Sequence, residues 1–284
     1  TASVAEPLTL AYKYKVGEID KYRMSLWLSL DVSQLAAATG KPAPPSNVAV
    51  TMTMTQKTLA VYSDGSAKVR IIFGSPQFEG VKVPPEATKS MQKVLGQGMV
   101  MTLSKRGLPR SIQSIGNKAV DPKMGKFDCP GALDVSSLAF LPEGPVEVGQ
   151  TWTANIPMPS ANSQFYFQSV LAGADEEIWN IPVARIKQSC SGKLDLKEML
   201  QSVLNTVAAG MKQPMPDLSS MSGFLTLQGE MTHYFAPSMG KLLKREGVLQ
   251  ARLSVTMPPA LTKQGAPGTL ALGVDVQMAM TRFR

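Results

Sequence analysis

Histidine and cysteine are almost missing from this chain of 284 residues: His233 stands alone, and the two cysteines are Cys129 and Cys190. A structural zinc site needs about four nitrogen or sulfur ligands, so this set cannot complete one. No metal and no cofactor are expected. A Ser–His–Asp triad would have to use His233, which sits within Glu230-Met231-Thr232-His233-Tyr234-Phe235, and the chain has no Gly-x-Ser-x-Gly elbow. Gly96-Gln97-Gly98 lacks the third glycine and the strand-to-helix order of a phosphate loop. Nothing here points to catalysis, and the expectation is a protein that is not an enzyme. Apolar runs are short as well. None approaches the ~18 residues that a membrane-spanning helix requires, so no transmembrane segment is expected.

Charged residues make up 18% of the chain, below the roughly 25% of ordinary globular proteins, and aromatics only 6%. Methionine, at 17 copies, supplies part of the apolar quota. The net charge is +8. Its basic residues cluster at Lys105, Arg106 and Arg110 and at Lys241, Lys244 and Arg245, beside expected turns, where solvated hairpin ends account for them. The aromatic interleaving of a single-strand binder is lacking, so no nucleic-acid partner is expected. Asp175-Glu176-Glu177 lacks the alternating spacing of a calcium loop and reads as a solvated turn. In an oxidising compartment Cys129 and Cys190 can pair and close a loop of roughly 60 residues, worth about 4 kcal/mol on the chain-entropy account. Two separate buried thiols fit equally well. The opening Thr-Ala-Ser-Val-Ala-Glu-Pro is what removal of a targeting segment leaves, although an arbitrary boundary looks the same. An extracytoplasmic location is expected, periplasmic or secreted to the cell surface.

Most of the chain alternates with a period of two. Leu8, Leu10, Tyr12, Tyr14 and Val16 form one apolar side, Gly17-Glu18 turns, and Tyr22, Met24, Leu26, Leu28 and Leu30 follow. This predicts a long hairpin with one wet face, on which Trp27 stands between Ser25 and Ser29. Trp27 there either floors a ligand groove or packs under a loop. Further strands are expected at 48–61, 67–73, 99–104, 108–113, 151–156, 165–172, 178–190, 223–235, 241–257 and 270–280. Two helices interrupt them. Pro84 and Pro85 open a short one over 84–96. The longer, 194–212, carries an apolar stripe of Met199, Val203, Val207 and Met211 at helical spacing, with Asp195 and Glu198 as a capping box.

Residues 116–145 are rich in Gly, Pro and Asp and read as a linker between a half at 1–115 and a half at 146–284. Val16-Gly17-Glu18 matches Val148-Gly149-Gln150, and the turn at Gly107 matches that at Gly240, at near-equal offsets. The fold expected is α+β: mostly antiparallel curved sheets in two similar tandem halves, with one main helix packed on the sheet of each.

The hairpin at 8–32, the Gly107 hairpin after a helix and the helix–hairpin at 194–247 resemble the architecture of bacterial lipoprotein carriers and related envelope lipoproteins. The phrase Leu141-Pro142-Glu143-Gly144-Pro145-Val146-Glu147-Val148-Gly149-Gln150-Thr151-Trp152 is similar to one in secreted bacterial β-rich proteins. The resemblance implies a non-enzymatic envelope protein that shelters a lipid or other apolar or amphipathic ligand between sheet and helix, but no ligand residue carries over from it. On the residues themselves, the stripe of Met199, Val203, Val207 and Met211 either covers such a ligand or is simply core. The other expectation is an extracellular structural or adhesion module. It would recognise an envelope polymer or a protein through its open sheet face and Trp27.

Overall fold

Period-two alternation governs the residues that the computed structural model describes, which are 6–31, 47–80, 98–114, 139–157, 164–195, 222–256 and 268–283. None of them is helical. They form one antiparallel sheet of twelve strands. The first part of the chain supplies β1 (Ile19–Asp31), β2 (Asn47–Val61), β3 (Ala67–Phe73), β4 (Gln77–Glu79), β5 (Met99–Leu103) and β6 (Pro109–Ser114). The second supplies β7 (Thr151–Pro157), β8 (Gln164–Ile178), β9 (Ile181–Asp195), β10 (Ser222–Ala236), β11 (Lys241–Thr256) and β12 (Thr269–Phe283). The spatial order is β6-β5-β3-β2-β1-β12-β11-β10-β9-β8-β7, with β4 added on β2.

The α+β arrangement of two tandem halves, each with its helix, is therefore corrected to a single all-β sheet. The first strand pairs with the last, from Lys21 opposite Phe283 to Asp31 opposite Gly273, so hydrogen bonding runs unbroken across both parts of the chain. Helix 84–96 lies outside the described residues, as does 196–212. Leu194 and Asp195, expected to start the long helix, instead end β9 opposite Leu225 and Phe224. The expected hairpin of 8–16 with 19–32 does not form either. Residues 8–16 make one bridge, Leu8 to Val146, and otherwise tie turns together: Tyr12 N donates to Lys105 O at 2.8 Å and Lys13 N to Gly240 O at 3.1 Å. Alternation showed which side of 8–14 is the more buried, though Val16, placed on that side, is 62% exposed, and it did not show what the segment pairs with. The matched glycines 17, 107, 149 and 240 all have positive φ, a turn requirement that explains their likeness without duplication.

One face of the sheet carries the core. Tyr22, Met24, Val69, Ile71 and Met101 form one cluster with Ala139. Phe140, Phe165, Phe167, Leu227, Leu249 and Met278 form the next. Gly192 makes room for this packing: a Cβ there would overlap the Phe165 ring. Residues 139–141, fully buried, cross this inward face and are held by their backbone. Gln188 Oε1 accepts from Phe140 N at 3.1 Å, Trp152 Nε1 donates to Phe140 O at 2.6 Å, and Arg106 Nε donates to Leu141 O at 2.8 Å. Distant strands thus share one crossing segment, and its polar groups are satisfied where water is excluded.

Charges are buried at one end of the inward face. Asp20, 2% exposed, pairs with Lys241 at 2.8 Å and with Arg282 at 2.7 Å, and Lys241 also reaches Glu18 at 2.8 Å. The cluster joins β1, β11 and β12. Removing one member leaves the others buried and uncompensated, which costs about 3–5 kcal/mol. Asp20→Asn is accordingly expected to lower the unfolding free energy by about that amount, measured by urea denaturation at neutral pH; a midpoint equal to wild type would refute the assignment.

Candidate functional site

Strand residues opposite to the core alternate onto the other face of the sheet, and their register sets them in transverse rows. From Trp27 the cross-strand partners run Gln277, Val248, Glu230, Ser189 and Gln168. A second row, one pleat along, runs Ser29, Asp275, Gln250, Gln228, Ser191 and Tyr166. All of these side chains are exposed. Each row crosses β1, β12, β11, β10, β9 and β8. Five steps at a strand spacing of ~4.8 Å make it about 24 Å long.

Two shallow grooves lie along these rows and share Val248 and Gln250. One, of about 630 Å³, extends past Ser189 and Tyr166. The other, of about 680 Å³, extends past Trp27 and Asp275. Both fall in the size range of ligand clefts. Local sequence explains the relief: on β9, Ser189 and Ser191 are bracketed by Lys187 and Lys193, short side chains between long ones. Although the chain carries +8, the two rows hold no Lys or Arg and contain the carboxylates Glu230 and Asp275. Asp275 is paired with Arg252 at 2.6 Å, outside the rows. The outward face is polar and the inward face apolar, the reverse of the alternation by which a barrel faces lipid. No helix among the described residues is long and apolar enough to cross a membrane.

On the inward face, among the described residues, a cavity of about 60 Å³ is lined by Tyr12, Tyr14, Tyr22, Asp20, Lys241 and Arg245, among others. That volume suits a few waters and not an acyl chain. Burial pushes all three phenols well above their usual range, so they are neutral. His233 stands nearby on β10 opposite Arg245. It is fully buried, and its Nδ1 and Nε2 have no hydrogen-bond partner.

Of the residues expected to bind a ligand, Trp27 is on the outward face, 47% exposed, at one end of the first row. Met199, Val203, Val207 and Met211 lie outside the described residues, as does Cys129. Cys190 is a buried free thiol against Phe167, raised to about 11 by burial, which leaves it protonated and unreactive. The acidic cluster expected in a turn belongs to β8, where Glu176 pairs with Arg185 at 2.6 Å. Among the described residues no group of His, Cys, Asp or Glu is placed to hold a metal ion. Sequence reasoning missed Tyr166, 47% exposed. It lies outward between the inward Phe165 and Phe167, a signal that the alternation of 165–172 already carried. No family model matches the chain, and no curated protein is significantly similar to it.

Desolvation, reinforced by Arg245, lowers the imidazole of His233 to about 3. The folded state therefore holds this side chain neutral, while the unfolded chain takes up a proton below about 6.5. The associated stability is complete above pH 6.5 and is lost, at about 1.4 kcal/mol per unit, as the pH falls from there towards 3. His233→Leu is expected to flatten this part of the stability–pH curve relative to wild type. Parallel curves from urea denaturation between pH 4 and 7 would rule the account out.

Proposed function

We propose that the protein is a non-enzymatic binding module of the bacterial envelope that takes its ligand on the outward sheet face. The observation that carries this reading is the pair of contiguous grooves along the Trp27 and Ser29 rows, set on strands paired on both sides and hence rigid. A ligand beneath the sheet has less support among the described residues, where the inward cavity has about 60 Å³. Catalysis is not part of the proposal: the sole histidine is sealed in the core, away from either groove. Placement outside the cytoplasm rests on the likeness of residues 141–152 to secreted bacterial β-rich proteins.

The exposed positions Val248 and Ser189 allow the grooves to be filled without touching the core. In Val248→Arg and Ser189→Arg the unfolding temperature is expected to match wild type, while binding to purified envelope polymers and proteins falls at least about fivefold. Surface plasmon resonance measures this. Undiminished binding by both variants would dispose of the outward face as the site.

A further inference from the structure

Resting on that reading, we propose that the outward trough binds a linear, uncharged polysaccharide laid across the strands, with Trp27 and Tyr166 as stacking platforms for sugar rings.

Three classes of extended ligand fit less well. A peptide cannot join by strand addition, because every strand crossed by the two rows has hydrogen-bonded neighbours on both sides and strand addition needs a free edge. Nucleic acids and acidic polymers need basic contacts, whereas the rows hold no Lys or Arg: Glu230 is acidic, Asp275 is paired with Arg252, and Arg252, Lys187 and Lys193 stand outside the rows. Acyl chains need an apolar lining along their length; the groove supplies one at the Trp27 end, where Ala49 and Val248 also line it, but the rows beyond are carried by Gln, Ser and Glu.

A neutral polysaccharide matches what is present. Gln277, Gln168, Gln250, Gln228, Ser189 and Ser191 each both donate and accept hydrogen bonds, as repeated sugar hydroxyls require. The register repeats these groups at ~4.8 Å intervals, a lattice suited to a ligand that itself repeats. Trp27 and Tyr166 present amphipathic rings, apolar on the face and polar at the tip. They stand on β1 and β8, at opposite ends of the lattice, so a chain lying along it meets an aromatic near each end.

Isothermal titration calorimetry on the whole chain, with neutral glucan and chitin oligomers of graded length and heparin as an anionic control, tests this. Affinity is expected to rise with length and level off once an oligomer reaches from Trp27 to Tyr166. Trp27→Ala and Tyr166→Ala should each weaken binding by about tenfold, with unfolding temperatures unchanged. Trp27→Phe, which keeps a ring, should retain most of the affinity while losing the ligand-induced change in tryptophan emission. Absence of binding by any neutral oligomer, stronger binding of heparin, or full affinity in both alanine variants overturns the proposal. If no glycan binds but a defined protein does, and Val248→Arg abolishes that, the polysaccharide is wrong and the outward-face reading stands. Glycan binding that survives Val248→Arg overturns both.

Discussion

The pairing of β1 with β12 is the constraint on which the architecture depends. Without it the chain would be two separate meanders, each with an unpaired edge, β1 on one and β12 on the other. With it, a strand from the start of the chain becomes the middle of a continuous sheet, and the buried Asp20 cluster fixes the register where β1, β11 and β12 meet. Hydrogen bonds supply continuity, while the ion pairs resist sliding: a slip of one residue would turn Asp20 outward and strand Lys241 and Arg282 in the core. The transverse rows on the outward face exist only because this register holds across all the strands involved. Trp27 faces Gln277 through the β1–β12 ladder alone.

Much of the strand content was legible in the sequence, for a simple reason. Inward residues such as Tyr22, Met24, Val69, Ile71, Phe165 and Phe167 alternate with polar partners, and glycines at 65, 107 and 240 stand at turns with positive φ. What alternation does not encode is which strand lies beside which. Residues 8–16 alternate as cleanly as β1, yet their amide groups bond to turns. The turn between β8 and β9 falls at Trp179-Asn180, both with positive φ, rather than at the acidic residues that looked like a turn by composition. Apart from Leu194 and Asp195, which end β9, the expected helices and the methionine stripe lie outside the described residues.

The candidate site was less legible still. A groove built from Ser, Gln and Glu on a wet face has the composition of any solvated strand. Only Trp27 stood out, and a single exposed aromatic is ambiguous. The information lies between strands: Ser189 is unremarkable until Glu230 and Gln168 are known to flank it. Such a site is a property of register, which local sequence determines only through the packing of the opposite face. In this protein the core-facing residues fix the outward rows without contacting what those rows bind.

The β1–β12 closure also has a consequence for how the molecule is made. Asp20 and Arg282, which it brings together, are 262 residues apart in the chain, and gathering ends so distant costs on the order of 5 kcal/mol of loop entropy. Neighbouring hairpins can form early, but the joint between the two meanders has to wait for the last strand to be synthesised. Until then β1 exposes a long, unprotected rim, open to pairing with the same strand of another copy. Slow maturation and a tendency to strand exchange at high concentration are thus built into the topology.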